Sequence, residues 1–399
     1  MGADDVKPPE VTGAGDAPVE PTTPSAGGAV SLRDPLVLIV LGVYLVIAVA
    51  TSFIHELGFG PDEVSRHLPY IEWLARERRL PPADPDVECG ALELHPPGYY
   101  ALLTPVYMAA IPWGRRAALQ ALRLTSPVLV LVVLLLWFAV IRRACAHRRQ
   151  ATIFAFALTA WWPNLYVDAG LLNNDVGALL CTALLLYLVG VRQADDASLS
   201  SAALWGAVAG LGGLVKTSVP VAAVPVLGVA LVWQHGRRFF VSGRFWARAG
   251  VAAAACLAVC GWWFWRNLQL HGSMSGISTE IGFRPIPAGL TNWDAITTGL
   301  AWPFFLDAVN GLWASVFAGV VWFPEWSRPV VYTLLRLITA AGLVGVALGL
   351  HRLATRQAGV ARGQLAAIIL PAVAFGTMLL SDIYVTVFVH YGFHGGGRY

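Results

Sequence analysis

Charge is what this 399-residue sequence has least of. Asp, Glu, Lys and Arg together make up 13%, about half of the roughly 25% in a soluble domain. A soluble chain of this length could not cover its surface with so few charges, so a soluble enzyme is excluded. Lysine is almost absent, with only Lys7 and Lys216. The formal net charge of +3 is small and dispersed, which argues against a nucleic-acid partner. The five cysteines are scattered and form no CxxC pair. That excludes a disulfide scaffold and argues against a structural zinc site. There is no Walker loop and no dinucleotide fingerprint, so a nucleotide-driven pump is disfavoured. The sequence indicates no cofactor, and no divalent metal is called for.

What the chain has instead is long apolar runs. The set AVILMFWYC accounts for 57% of it. A bilayer core needs ~20 mostly apolar residues per helix. Candidate spans fall at 35–54, 123–141, 151–170, 175–191, 201–215, 217–234, 248–265, 329–350 and 364–389. The fold class is therefore an all-α polytopic membrane protein. Residues 1–34 differ: they are rich in Pro, Gly, Ala and acids and carry no apolar period. Such a segment cannot bury enough apolar surface to offset its ordering entropy, and it is expected to be a disordered cytoplasmic tail. The charged start and early apolar core of a signal peptide are missing.

The stretch from Pro97 to Pro112 is apolar but short, and arginine placement decides how to read it. Cytoplasmic loops collect Lys and Arg. If this stretch does not cross, Arg142, Arg143, Arg148 and Arg149 fall on one side with Arg237, Arg238, Arg244 and Arg248, and with Arg352, Arg356 and Arg362. The map is then nine spans within a membrane domain over 35–399. The N-terminus is inside, and large outer loops cover 55–122 and 267–328.

Eight of the 24 acids lie between Asp62 and Glu93, in the first outer loop. Most such charges simply solvate a loop. Asp62 and Glu63 differ because they follow Gly60-Pro61, where a helix is expected to start and run to about Arg79. Val64, Leu68, Ile71 and Ala75 would line its membrane-facing side. Glu63 would share a face with His67, and Asp62 with Arg66. A carboxylate pinned at the membrane surface suits proton removal from a hydroxyl, although helix capping alone would also explain the pair. Lys216, alone between two apolar spans, calls for water or a partner; a phosphate and a simple snorkelling anchor both satisfy that. Asn173-Asn174-Asp175 reads as a polar turn, Arg266-Asn267 as the outer end of a span, and Arg336 as a further intramembrane cation. Cys256 and Cys260 read as core packing.

Taken in order, these features form a pattern. Gly60-Pro61-Asp62-Glu63 with His67 and Tyr70 comes first, then His95-Pro96-Pro97-Gly98-Tyr99-Tyr100 and Asn173-Asn174-Asp175. Next come Gly213-Leu214-Val215-Lys216-Thr217 and Trp265-Arg266-Asn267 with His271-Gly272, and last Gly397-Arg398-Tyr399. The set resembles the GT-C integral-membrane glycosyltransferases. It is most similar to bacterial families like the protein O-mannosyltransferases and the lipid A aminoarabinose transferases.

The resemblance implies a multi-pass protein of the bacterial plasma membrane, with its active site on the outer face. It implies transfer of a hexosyl or pentosyl group, with inversion, from a polyprenyl-phosphate carrier to a lipid, glycan or protein acceptor. Asp62 or Glu63 would be the catalytic base. Lys216, Arg266 and Arg398 would hold the donor phosphate. His67, Tyr70, His95, Tyr99, Asn174 and Asp175 would contact substrate. Where that pattern reads Gln-Gly-Arg-Tyr before further spans, this sequence reads Gly-Gly-Gly-Arg-Tyr and stops, so a truncated, inactive homologue is one alternative. A transporter or flippase of an envelope lipid is the other.

Overall fold

The computed structural model describes residues 30–58, 62–82, 95–146, 148–272 and 362–384, with single positions at 274, 333, 337 and 344. The Gly60-Pro61 turn, Arg336 and Arg398 lie outside the described residues. Every element among the described residues is helical.

Helix α1 (Pro35–Ile54) begins where the sequence places the first span. Asp34 caps it by accepting from the Leu36 N–H at 3.1 Å, with Pro35 in the first turn. Its residues split by face: Tyr44 and Ala48 are fully buried, while Ile39 and Val46 are exposed. An exposed apolar face on a helix this long suits lipid contact. The chain then makes a π-helical turn at Glu63–His67 and runs on as α2 (Leu68–Glu77). Leu68 and Ile71, expected to face the membrane, are instead buried in a protein cluster with Tyr70, Tyr99, Tyr100 and Leu122. Of the four residues expected on that face, Val64 is exposed.

Helix α3 (Gly98–Ala110) has 13 residues, short of the ~20 a crossing needs. It packs between α2 and α4. Helix α4 (Arg115–Ala144) has 30 residues, about 45 Å at 1.5 Å per residue, enough to cross and project beyond the core.

The expected span at 151–170 is two helices, α5 (Arg149–Ala160) and α6 (Pro163–Gly170). Pro163 forces the break, because the residue before a proline avoids helical backbone and Trp162 is extended. Helix α7 (Asn174–Tyr187) is capped by the Asn173 side chain and ends in a second π turn at Leu188–Arg192. Helices α8 (Leu199–Val215), α9 (Ser218–His235), α10 (Gly243–His271) and α11 (Arg362–Tyr384) complete the described bundle. Five of the described helices are long and apolar enough to span a membrane: α1, α4, α7 with its π turn, α9 and α10.

At the end of α10 nearest the arginine-rich loops, Arg248 is fully buried. It donates to the Ser198 carbonyl at 3.2 Å, the Asp196 carbonyl at 3.1 Å and the Gln234 side-chain oxygen, and it lies over the Trp205 ring. One cation thus ties the α7–α8 loop to α8, α9 and α10.

The length and apolar character of α4 predict that its two ends lie on opposite sides of a membrane. In a chain whose other cysteines are replaced, a cysteine at Arg115 and the native Cys145 should react with an impermeant thiol reagent from opposite sides. Reaction of both from one side would remove the nine-span arrangement.

Candidate active site

The centre of the segment between α1 and α2 is tied down by an ion pair. Glu63 is 1% exposed and Arg123 0%. Arg123 donates from Nε to Glu63 Oε1 at 2.6 Å and from Nη2 to Oε2 at 2.5 Å, a fork-on-fork contact. Its other hydrogens go to the carbonyls of His55 and Glu56, each at 2.8 Å. Glu63 accepts two more bonds, from Leu172 N–H at 3.0 Å and Gly58 N–H at 2.9 Å. One side-chain pair thereby joins the end of α1, the π turn, α4 and the turn between α6 and α7.

Both Glu63 oxygens are committed to this network, so Glu63 presents no free oxygen to a substrate. It does not pair with His67 as the helical spacing suggested. The π turn changes the register: the His67 and Arg66 N–H groups both bond to the Asp62 carbonyl, at 2.8 and 2.9 Å.

Asp62 is placed differently. It stands at the start of the same turn, with its side chain 42% exposed. Its ion-pair partner is Arg66, at 3.2 Å and half exposed, on the face the spacing predicted. A carboxylate with one exposed partner keeps lone pairs for a hydroxyl proton.

Next to Asp62 is a stack of rings. Tyr70 and Tyr100 lie 4.2 Å apart and nearly parallel. Tyr100 Oη meets His67 Nδ1 at 2.9 Å, and Tyr70 Oη donates to the His95 carbonyl at 3.3 Å. Burial, and then the neighbouring His95, hold His67 down to about 3. Burial, and then Arg66 and Lys216, hold His95 down to about 4. Both imidazoles are therefore neutral at pH 7, where each can donate and accept a hydrogen bond. His95 feels the charges of Asp62, Arg66, Asp175 and Lys216, so these groups lie around it.

A further charged pair is built by the ends of α7 and α8. Lys216 ends α8 and pairs with Asp175 in the first turn of α7. The two side chains are 35% and 44% exposed, so the pair opens to the surroundings. The Asn173 Oδ1 accepts from the Asp175 N–H at 2.9 Å, and its Nδ2 donates to Asp168 at 3.3 Å. Asn174 is 3% exposed, with its amide nitrogen buried and lacking a partner among the described residues. Tyr99 is fully buried beneath the pair, where its ring lies 2.9 Å from the place a side chain on Gly177 would take. Gly98 permits this packing, since a Cβ there would come 2.7 Å from the Leu214 carbonyl.

The structure thus brings Asp62, His67, Tyr70, His95, Tyr99, Asn174, Asp175 and Lys216 to one region. Arg266 lies near the C-terminal end of α10, over the Trp263 ring at 5.1 Å, and donates to the Pro81 carbonyl at 2.8 Å. Arg123 was missed in the sequence, and a signal for it was there. It is the only charged residue between Arg116 and Arg142, and an isolated cation in an apolar helix calls for a partner wherever it occurs. Among the described residues, no three His, Cys, Asp or Glu side chains converge as a metal site would require.

The depressed His67 value fixes the sign of a pH effect. Between about 3 and 6.5 the unfolded chain binds a proton that the folded chain refuses. The stability that neutral His67 confers is complete above pH 6.5 and is lost as pH falls, at up to ~1.4 kcal/mol per pH unit. Thermal unfolding in detergent at pH 7 and pH 5 should show a smaller acid-side loss in His67→Gln than in the wild type. Equal losses would place His67 in a solvated environment.

Residues 95–265 match the model of the family described as dolichyl-phosphate-mannose-protein mannosyltransferase. The matched segment holds α3 through most of α10, and with them Tyr99, Arg123, Asp175 and Lys216. It begins after Asp62 and Glu63. No curated protein and no solved structure matches the chain. The family likeness read from the ordered motifs is thus found over residues 95–265: this part of the chain matches the dolichyl-phosphate-mannose-protein mannosyltransferases, membrane glycosyltransferases of the GT-C type.

Proposed function

We propose that this protein moves a sugar from a polyprenyl-phosphate carrier to a hydroxyl acceptor at the outer face of the membrane. The observation that carries this reading is that a half-exposed carboxylate, Asp62, and a partly exposed lysine, Lys216, lie within electrostatic reach of the same imidazole, His95. Neutral His95 senses both charges. A base and a phosphate clamp near the same neutral hydrogen-bonding rings suit attack on a sugar phosphate.

The acceptor hydroxyl gives its proton to Asp62, and its oxygen attacks the anomeric carbon from the side opposite the phosphate. The bond from that carbon to the phosphate oxygen breaks, with inversion, and polyprenyl phosphate leaves. Its growing negative charge is met by the Lys216 ammonium. Asp175 holds Lys216 in position through their ion pair. Arg266, anchored to Pro81, adds positive charge on the outer side. Glu63 has no part in proton transfer here; bound by Arg123, it holds the turn that presents Asp62. The donor is already activated, so no nucleotide is needed. The acceptor is left as a hydroxyl-bearing lipid, glycan or protein.

Two substitutions separate the roles. Asp62→Asn should lower turnover by roughly 10²–10⁴ with donor binding nearly unchanged. Lys216→Gln should weaken binding of polyprenyl phosphate while leaving affinity for the free acceptor alone, because a charge-assisted contact is about twice as strong as a neutral one. Label transfer from a radiolabelled polyprenyl-phosphate sugar reads the first, and lipid binding reads the second. Full turnover in Asp62→Asn would move the base elsewhere.

A further inference from the structure

Among the described residues around the candidate site, three acids each have a cation of their own. Asp62 pairs with Arg66, Glu63 with Arg123 and Asp175 with Lys216. Each pair sums to zero charge. A fourth acid, Asp168, stands apart. It lies near the end of α6, a helix of eight residues that is too short to span a bilayer. Among the described residues its hydrogen-bond partner is an amide, the Asn173 Nδ2 at 3.3 Å, and it has no ion pair.

Asn173 joins this acid to the Lys216 pair. Its Nδ2 donates to Asp168 while its Oδ1 accepts from the Asp175 N–H at 2.9 Å. Asp168 is thus one side chain removed from the residue that holds Lys216, and both charges of that pair act on it. The other neighbours leave it without a cation. Of the elements packed on α6, α1 has Tyr44 as its titratable group. Helix α4 carries Arg123, which Glu63 occupies. Arg115, bound to Glu72, and the exposed Arg116 lie about 10 Å further along α4. Tyr99 reaches Asp168 from α3, and Tyr166 shares its helix. Burial, and then the like charge of Asp175, push the Asp168 carboxyl up to about 7.

We infer that Asp168 sets the charge of the Lys216 site and so decides how well that site accepts an anionic phosphate. With Asp168 in its acid form, the group of Asp168, Asp175 and Lys216 is neutral. With Asp168 ionised it carries one net negative charge, which opposes an arriving phosphate. Phosphate binding above neutral pH therefore takes up a proton at Asp168, and affinity falls as pH rises. Asp168 is a positioning residue: it touches no substrate and acts through the field it adds beside Lys216. The inference rests on the reading of Lys216 as the phosphate site and adds a pH control to it.

The test measures binding to the full chain in lipid nanodiscs at pH 6 and pH 8.5. The probe is the methyl ester of a polyprenyl phosphate, a phosphodiester whose single charge does not titrate over that range. His67 and His95, held to about 3 and 4, stay neutral over it as well. Wild-type affinity should fall roughly five- to ten-fold from the lower pH to the higher. Calorimetry in buffers of different ionisation enthalpy should show proton uptake on binding at pH 8. Asp168→Asn keeps an acceptor for Asn173 and cannot ionise. It should bind at both pH values within about two-fold of the wild type at pH 6, and take up no proton. Asp168→Ser should do the same, so that the outcome does not depend on one variant. A flat wild-type profile, or variant profiles as steep as the wild type, overturn the inference. Failure of the parent reading looks different: a Lys216→Gln protein that binds the diester at pH 6 as the wild type does removes the phosphate site itself.

Discussion

Burying a carboxylate and a guanidinium together costs several kcal/mol per ion in lost hydration, and only excellent geometry repays it. Glu63 and Arg123 meet that condition. Both side chains have no exposure, their contact is a two-bond fork, and further bonds to backbone groups use their remaining capacity. The elements they join are not neighbours in sequence, with Glu63 and Arg123 sixty positions apart. The pair sets where the segment after α1 returns to the bundle. It therefore sets where Asp62 stands relative to the α6–α7 turn, and through that turn relative to Asp175 and Lys216. Removing one partner would leave the other as an uncompensated buried charge.

The pair also separates two adjacent acids by role. Asp62 and Glu63 are alike in charge and adjacent in chain, and their environments differ almost completely. One is sealed against an arginine; the other is half open with a half-exposed partner. The π turn makes this possible, because the wider backbone register shifts the residues after Asp62 off the ordinary helical face. The end of the bundle at the arginine-rich loops repeats the device with Arg248, a buried cation spent wholly on carbonyls, side-chain oxygens and an aromatic ring.

Much of this was legible in the sequence, for identifiable reasons. Apolar length gave the helices, and α1 begins and ends at the expected residues because Asp34 and Pro35 mark its start. The break inside 151–170 could have been read from Pro163. The outer-loop helix was foreseen, but its partner was not: Leu68 and Ile71 have the period of a membrane-facing stripe, and period alone cannot tell lipid from the tyrosines of α3. Lys216 stood out as an isolated charge, Asp62 by following Gly60-Pro61, and Asp175 as part of a polar turn. Their pairing was not visible, since contact between the start of α7 and the end of α8 depends on glycine-sized gaps at Gly98 and Gly177. Arg123 was hidden because it sits at the edge of an apolar run, where a cation is easily taken for a boundary marker.

The central claim is that the Glu63–Arg123 pair is structural and that it positions a separate base. A double-mutant cycle tests it most directly, with Glu63→Gln, Arg123→Met and the double variant compared for thermal stability and sugar transfer. Each single variant should lose about 3–5 kcal/mol of stability. The double variant should lose clearly less than the sum and recover part of the transfer rate, because no lone charge remains buried. Strictly additive losses would contradict the account. So would a Glu63→Gln protein of full stability with no transfer, which would make Glu63 the base.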